Sequence, residues 1–472
     1  MKKKRIQPEE LEQLTIQEAT SEGFCMAKTA DGKVVFVRHA APQDVVDIRI
    51  TKQHRRFAEG EIVKFHQKSP LRVAPVCSHY GVCGGCKWQH LSYEHQLAFK
   101  EKQVIDNLAR IGKVELPQLT PILGSENQYF YRNKLEFTFS TQRWLTDEEV
   151  KTTESFDEQG RLALGFHIPQ RFDRVLDIQS CHLQSDFSNR ILNAVRDFAK
   201  AEKLSFYDLR THTGLLRTLT IRQSVRQEHM VIVQFGAKED DTIELLMQHL
   251  AKNFPEIASL NYLINTKKND TYQDQDIVCY KGQPYITEYM ENLQFRVSPK
   301  SFFQTNSGQA YRLYKLVRDM AQLNSTDRVY DLYTGTGTIA LFLAAQIQRI
   351  VGVEYVADAI ADAQKNAELN HIKNAFFEVG DMAKTFNDAF VERHGMADLV
   401  ITDPPRSGMH PDVVSMLTRL LPARIVYVSC NPATQARDLA LMDAYYRVAA
   451  VQPVDMFPHT PHVENIVRLE RR

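Results

Sequence analysis

The chain has 472 residues, 43% of them apolar, enough for about three domains with cores of their own. Lys+Arg and Asp+Glu balance at 58 each, so global charge neither requires nor excludes a polyanionic partner. Seven cysteines, a basic start that runs into Pro8-Glu9-Glu10, and no apolar run of bilayer length are the pattern expected of a cytoplasmic protein without membrane attachment, whose thiols serve metal or catalysis rather than disulfides.

Residues 1–72 alternate short strands with turns: 34–37, 45–50 and 60–65, separated by Asp31-Gly32 and Ala41-Pro42. That spacing predicts a small barrel. Seven Lys/Arg lie between Arg49 and Arg72 (Arg49, Lys52, Arg55, Arg56, Lys64, Lys68, Arg72) against Glu59 and Glu61, and the chain opens Lys2-Lys3-Lys4-Arg5. A basic face of this kind suits a phosphate backbone, and equally a solvated strand edge. After a linker at 70–75 and a cysteine-rich loop, a helix is predicted over 93–111, with Leu97, Val104, Leu108 and Ile111 on one face and Gly112 closing it. Residues 130–297 read mostly as strands, such as 135–139 and 230–235, with a helix after Asp186. From Ser301 strands at 328–332, 349–353, 375–379, 397–402 and 424–429 alternate with helices, the pattern of a doubly wound, mainly parallel sheet. The expected organisation is a multidomain α/β protein: barrel 1–72, an α+β central domain 73–300, and a Rossmann-like domain 301–472.

In such a sheet ligands bind at the carboxyl ends of the strands. The turn 331–337, Asp-Leu-Tyr-Thr-Gly-Thr-Gly, follows the first strand, and its glycines, Gly335 and Gly337, let the backbone approach a ligand before a helix N-terminus. Glu354, seventeen residues past Gly337, can accept both hydroxyls of a ribose; Asp381, ending the third strand, can reach an adenine edge; Asp403 ends the fourth. Acids on successive strand ends fit S-adenosylmethionine at least as well as a nicotinamide nucleotide, and Asp403-Pro404-Pro405 tips the choice to the methyl donor. Cys430, between the strand 425–429 and Asn431-Pro432, is a candidate nucleophile at the same edge. A lone cysteine is more often a small core residue.

Cys77, Cys83 and Cys86 supply three thiols within ten residues, and Cys181 a fourth across a long insertion. Four thiolates suit a structural zinc ion or a [4Fe–4S] cluster. Cys25 and Cys279 read as ordinary buried residues.

The segments 301–306 (Ser-Phe-Phe-Gln-Thr-Asn), 331–337, 403–406 (Asp-Pro-Pro-Arg), 429–434 (Ser-Cys-Asn-Pro-Ala-Thr) and 457–464 together resemble the RNA uracil-C5-methyltransferases, over the whole chain. The barrel resembles the TRAM module of the ribosomal-RNA branch, and the cysteine loop resembles that branch's iron–sulfur loop. The resemblance implies S-adenosylmethionine binding by Gln304, Tyr333, Glu354 and Asp403, Cys430 as nucleophile, Glu464 as base, and a [4Fe–4S] cluster rather than zinc. Tyr131, Arg132, Asn133 and Lys134 resemble a family segment on the RNA side; Phe130 and Trp88 are further candidates for base stacking. Thr334 and Thr336 depart from the residues many members carry in the turn.

The chemistry requires such a pair. C5 of uracil is too weak a nucleophile for direct methylation; a thiolate adding to C6 gives C5 carbanion character, and a base must then remove the C5 proton before the thiol leaves. Asp403, an anion, does not make Cys430 more acidic, and His459 and His462 are expected to stabilise their loop. The reading is methylation of uridine C5 in 23S ribosomal RNA by a monomer. The alternatives are transfer RNA as substrate and a noncatalytic RNA-binding assembly factor. A cytosine-C5 enzyme is disfavoured because 403–408 holds no second cysteine, and an amino-group methyltransferase has no need of Cys430.

Overall fold

The computed structural model describes residues 9–152, 157 and 159–472; the basic run at 2–5 lies outside them. Five strands close a barrel: β1 (Glu10–Ala19), β2 (Cys25–Lys28), β3 (Val34–Val37), β4 (Val45–Gln53) and β5 (Phe57–Gln67), in the order β1-β2-β3-β5-β4, with β1 pairing back to β4. Ile16, Ala27, Val35, Val37, Val46, Ile48 and Ala58 fill it, the alternate positions that a period of two turns inward. The sequence pattern missed β1 for a physical reason. Gln13 takes φ 51° and donates its N–H to Asp47 Oδ1 (2.8 Å), and the register shifts between Leu11 and Leu14. The bulge breaks the apolar alternation.

The basic face is smaller than its count suggests. Arg49 pairs with Glu10 (3.2 Å) and Glu61 (3.5 Å), Lys52 with Glu59 (3.3 Å), and Arg72 with the buried Asp44 (2.6 Å). Arg55, Arg56, Lys64 and Lys68 remain as its exposed cations.

The helix Tyr93–Asn107 continues into one wider turn, Leu108–Gly112. Its buried face is Gln96, Lys100, Val104 and Leu108, whereas Ile111 is exposed and Lys113 rather than Gly112 takes the left-handed closing conformation (φ 51°). A turn of wider pitch rotates the stripe, which carries Ile111 out of the face that strict 3.6-residue spacing assigns it.

The central sheet comprises β6 (Lys134–Ser140), β7 (Ala163–Ile168), β8 (Arg171–Asp177), β9 (Leu216–Gln223), β10 (His229–Phe235), β11 (Ile257–Ile264) and β12 (Ile277–Gly282), ordered β12-β11-β10-β9-β6-β7-β8. Helices Asp186–Ala201 and Asp240–Asn253 share one core with it. The stretch 73–300 does not pack as a single body. Val104, Leu108 and Val114 lie in a core with Tyr427 and Leu439, Leu123 bridges to Val454, and the hairpin β13 (Ile286–Met290)–β14 (Leu293–Val297) packs on the C-terminal sheet.

That sheet holds β15 (Arg328–Leu332), β16 (Arg349–Glu354), β17 (Ala375–Val379), β18 (Leu399–Thr402), β19 (Arg424–Ser429), β20 (Tyr446–Val454) and β21 (Glu464–Arg471), ordered β17-β16-β15-β18-β19-β21-β20. β15 to β19 pair in parallel, and β21 enters antiparallel beside β19. The antiparallel entry brings the first residue of β21, Glu464, to the end of β19, where Cys430 follows. Among the described residues no helix is long and apolar enough to cross a membrane.

Candidate active site

Cys430 is fixed by its neighbours. Ser429 ends β19, and Asn431 caps the helix Pro432–Met442 by accepting the Ala433 N–H (3.1 Å), so the chain must turn at the cysteine. Asn431 Nδ2 (2.9 Å) and Thr434 Oγ1 (3.2 Å) both donate to the Arg406 carbonyl, which ties this turn to the loop after β18. The Arg406 side chain donates to the Cys430 thiol. Burial, and then the charges of Glu464 and Asp403, push the thiol up to about 11; Arg406 opposes them. Glu464 is 7% exposed, and burial followed by the Asp403 charge holds it well above the ordinary carboxylate range. Cys430, Asp403, Arg406 and Glu464 therefore share one site, in which Arg406 is the cation. The sequence reading gave Arg406 no role, although its place after Asp-Pro-Pro was visible. Tyr314, beside the site, is pushed upward by its burial and then by the charges of Asp403, Asp331 and Glu464; nothing in the sequence singled it out.

The adjoining strand ends form the second half. Asp331 is buried and accepts from Thr334 Oγ1. Gly337, at φ 72°, has no room for a side chain: a Cβ there would meet the Phe377 ring at 2.8 Å and Ala363 at 2.9 Å. At Gly335 (φ 56°) the space is open, and its N–H donates to Glu354 Oε2 (3.2 Å), while Val356 N–H donates to Oε1 (3.0 Å). Tyr333 also takes a left-handed conformation (φ 64°). Asp381 caps a short helix through the Ala383 N–H (3.0 Å), one residue after Gly380, whose N–H bonds the Glu354 carbonyl. Thr336 Oγ1 donates to the Phe302 carbonyl (3.3 Å), which brings the segment of Gln304 against the turn. Asp403 keeps some contact with solvent yet lies deep enough to be pushed up to about 7, by burial and then by the Asp331 charge. Burial raises Asp331 to about 7 as well. Two carboxyls poised near neutrality beside an open glycine turn suit a ligand that is both hydrogen-bonding and positively charged, which S-adenosylmethionine is.

The loop leading to Glu464 is gripped along its length. Lys100 Nζ meets Asp455 Oδ1 (2.5 Å) and the Phe457 carbonyl (3.1 Å), both charged side chains being fully buried. Tyr93 Oη donates to Asp455 Oδ2 (2.8 Å), Asn306 Nδ2 to the Met456 carbonyl (2.9 Å), and Tyr131 Oη to the Pro458 carbonyl (3.0 Å). Gln96 Oε1 accepts the His459 N–H (2.8 Å), and the Lys87 and Trp88 N–H groups both reach the His459 carbonyl (2.9 and 3.0 Å). His459 is buried, which pushes it down to about 4; His462 is exposed as a residue, yet partial desolvation and nearby cations, Arg406 first, push it down to about 4 as well. A Lys100→Met variant leaves Asp455 buried without its cation and is expected to lose about 3–5 kcal/mol of stability. Urea unfolding followed by circular dichroism measures this; a loss below 1 kcal/mol would show that the pair does not hold the loop.

Cys77, Cys83, Cys86 and Cys181 line one cavity of about 350 Å³. Burial raises all four thiols, and the charges of neighbouring thiols add to this at Cys83, Cys86 and Cys181. Among the described residues no three side chains converge on one ion position. Four thiols around one cavity are a donor set that a zinc ion and a [4Fe–4S] cluster both use. Cys25 is buried and donates to the Ala40 carbonyl (3.0 Å), whereas Cys279 is only half-buried.

The expected RNA residues divide differently. Tyr131 is 7% exposed and bonded to the C-terminal loop, so it has no face for a base. Asn133 Nδ2 is taken by the Gln304 carbonyl (2.8 Å) and Ser307 Oγ (2.7 Å). Arg132 and Lys134 line the cysteine cavity, and the Arg132 guanidinium lies 5.2 Å from the Phe457 ring centre. Trp88 is buried between barrel and helix. Phe130 alone of these aromatics is exposed, at 57%.

Comparison with known proteins shows the family. The family model described as tRNA (Uracil-5-)-methyltransferase matches residues 273–472, and that of the TRAM domain matches residues 10–63. An uncharacterized RNA methyltransferase of Bacteroides thetaiotaomicron is 56% identical, over 96% of this chain and 100% of its own. One of Porphyromonas gingivalis is 50% identical, over 97% of this chain and 99% of its own. The Pyrococcus abyssi tRNA (uracil-54, C5)-methyltransferase, solved with S-adenosyl-L-homocysteine, is 29% identical with a TM-score of 0.73, covering 96% of this chain and 99% of its own. These matches define an RNA methyltransferase, and the chain belongs to the family of S-adenosylmethionine-dependent RNA uracil-5-methyltransferases.

Proposed function

We propose that the protein methylates C5 of a uridine in 23S ribosomal RNA through a covalent adduct between Cys430 and C6 of the base. The observation that carries this reading is the meeting of Cys430, Arg406, Asp403 and Glu464 at the carboxyl edge beside the glycine turn. Arg406 stabilises the Cys430 thiolate, which adds to C6. S-adenosylmethionine, held by Gln304, Tyr333, Gly335, Gly337, Glu354, Asp381 and Asp403, supplies the electrophilic methyl group. Glu464, kept poorly solvated and therefore basic, takes the C5 proton, and Cys430 leaves as C5–C6 unsaturation returns. A stacked uridine hides C6, so the base must be single-stranded or flipped out; Arg55, Arg56, Lys64, Lys68 and Phe130 are the exposed groups available to hold the flanking RNA.

The ribosomal choice rests on the resemblance of barrel and cysteine loop to that branch. Transfer RNA is the second reading, favoured by the name and near-complete coverage of the Pyrococcus abyssi protein. Labelled methyl transfer from S-adenosylmethionine to 23S and transfer-RNA transcripts in competition separates them: label in the 23S transcript is expected, and label in transfer RNA alone would reverse the choice.

Cofactor binding has a predicted pH dependence. Asp331 and Asp403 stand near 7, and a sulfonium favours their ionised forms. Protonation of one such group weakens binding by about tenfold at pH 6 relative to pH 8. Calorimetric titration at both values checks this. S-adenosylhomocysteine, without the positive sulfur, is expected to respond less; equal affinities of S-adenosylmethionine at the two values would remove these carboxyls from the site.

We further propose that Cys77, Cys83, Cys86 and Cys181 hold a [4Fe–4S] cluster of structural role. Protein purified without oxygen is expected to carry about four irons and four acid-labile sulfides per chain, and Cys181→Ser to lose most of both. About one zinc and no sulfide would identify a zinc site instead.

A further inference from the structure

At the edge of the C-terminal sheet opposite the reaction centre, the amino-terminal ends of β15, β16 and β17 border an open cavity of about 520 Å³. Arg328, Arg349, Lys373, Arg393, His394 and the ring of Phe376 line it, and no carboxylate does. Five residues of strand, about 17 Å at 3.3 Å per residue, separate this edge from the cofactor edge, so the cavity is not a lobe of the active site. Glu378, just behind the rim, takes Arg393 (2.6 Å) and His394 (2.9 Å). Asp398 turns its Oδ2 to the backbone N–H of Arg328 (2.9 Å). Arg328, Arg349 and Lys373 are left without a carboxylate partner among the described residues. Arg349 Nε is buried with no hydrogen-bond partner there, and its guanidinium lies 4.3 Å from the centre of the Phe376 ring. Phe376 sits on the free edge strand and is 44% exposed.

Three uncompensated cations around an exposed aromatic ring repel one another unless an anion joins them, and the combination is the one that single-stranded nucleic acid uses, phosphate to the cations and base to the ring. We propose that this cavity is a second contact for the substrate RNA, holding a backbone phosphate among Arg328, Arg349 and Lys373 with the adjoining base against Phe376. The inference rests on the RNA-methylating reading above. An open cavity on a free sheet edge admits a chain that passes through, where a small anion needs enclosure.

The test is the salt dependence of RNA binding by full-length protein. In an Arg328→Gln/Lys373→Gln double variant the slope of log K against log salt is expected to fall by about 0.7, the share of one single-strand phosphate contact, which is about fourfold in affinity at 0.15 M salt. KM for long RNA rises equally and kcat at saturating RNA stays unchanged. Phe376→Ala, which removes no charge, is expected to weaken binding at least fivefold with the slope intact. A double variant with unmoved slope and KM overturns the proposal, also if it loses affinity for inorganic pyrophosphate, which would mark a small-anion site. Unmodified protein that methylates RNA while the variant matches it overturns this inference alone; unmodified protein that neither binds nor methylates RNA overturns the parent reading together with it.

Discussion

Replacing Cys430 with serine is expected to lower methyl transfer by about 10⁴-fold or more, with cofactor affinity unchanged. Loss of an essential nucleophile costs on this order, and a serine hydroxyl at this position has no cation strong enough to ionise it. The thiol itself is pushed up to about 11, by burial, Glu464 and Asp403, with Arg406 opposing. The free enzyme thus holds little thiolate at pH 7, and the rate should rise with pH across the neutral range. RNA bearing 5-fluorouridine reads the step directly. Fluorine at C5 cannot leave as a proton, so unmodified protein is expected to form an adduct that survives denaturing electrophoresis, and Cys430→Ser none. Adduct formation by the serine variant would place the nucleophile elsewhere.

Glu464→Gln is expected to lower turnover by about 10²–10⁴-fold and, unlike the serine variant, to accumulate covalent protein–RNA complex on ordinary uridine. Methyl transfer precedes proton loss, so the trapped species should carry the labelled methyl group. The substitution also removes the anion that raises Cys430 most strongly after burial, so the complex should form at lower pH than the 5-fluorouridine adduct of the unmodified protein. The sign for the base is opposite to that of a depressed carboxylate: raised by burial and Asp403, Glu464 is protonated and idle at low pH, and deprotonation through its elevated pKa brings activity in. Single-turnover assays on denaturing gels across pH 6–9 test both points. A glutamine variant that turns over at the unmodified rate would remove Glu464 from the reaction.

Local patterns carried much of this site, and long-range ones carried the rest. The five parallel strands and the acids that end them were legible because a buried strand is a short β-branched run and its end is marked by Gly, Pro or Asp. The cysteine cavity was legible because thiols are rare and their spacing is restrictive. Strand β1 was not, since a bulge at Gln13 disturbs its period. Gln96 and Lys100 lie off the helix's apolar stripe in the sequence, and their burial depends on partners more than 350 residues away. Tyr131 and Asn133 were assigned to the RNA side by resemblance alone, and their polar atoms bond the C-terminal loop and the Gln304 segment. Arg406 was in view, yet its contact with Cys430 exists only once two strand ends are side by side.

The most direct measurement is a position-by-position map of 5-methyluridine in ribosomal and transfer RNA from a strain lacking this gene, complemented with the unmodified chain or with Cys430→Ser. Loss of the mark at one or more 23S positions, restored by the unmodified chain and not by the serine variant, is the predicted result. A ribosomal map that is complete without the gene contradicts it, pointing to transfer RNA if the mark vanishes there and to a noncatalytic role if nothing changes.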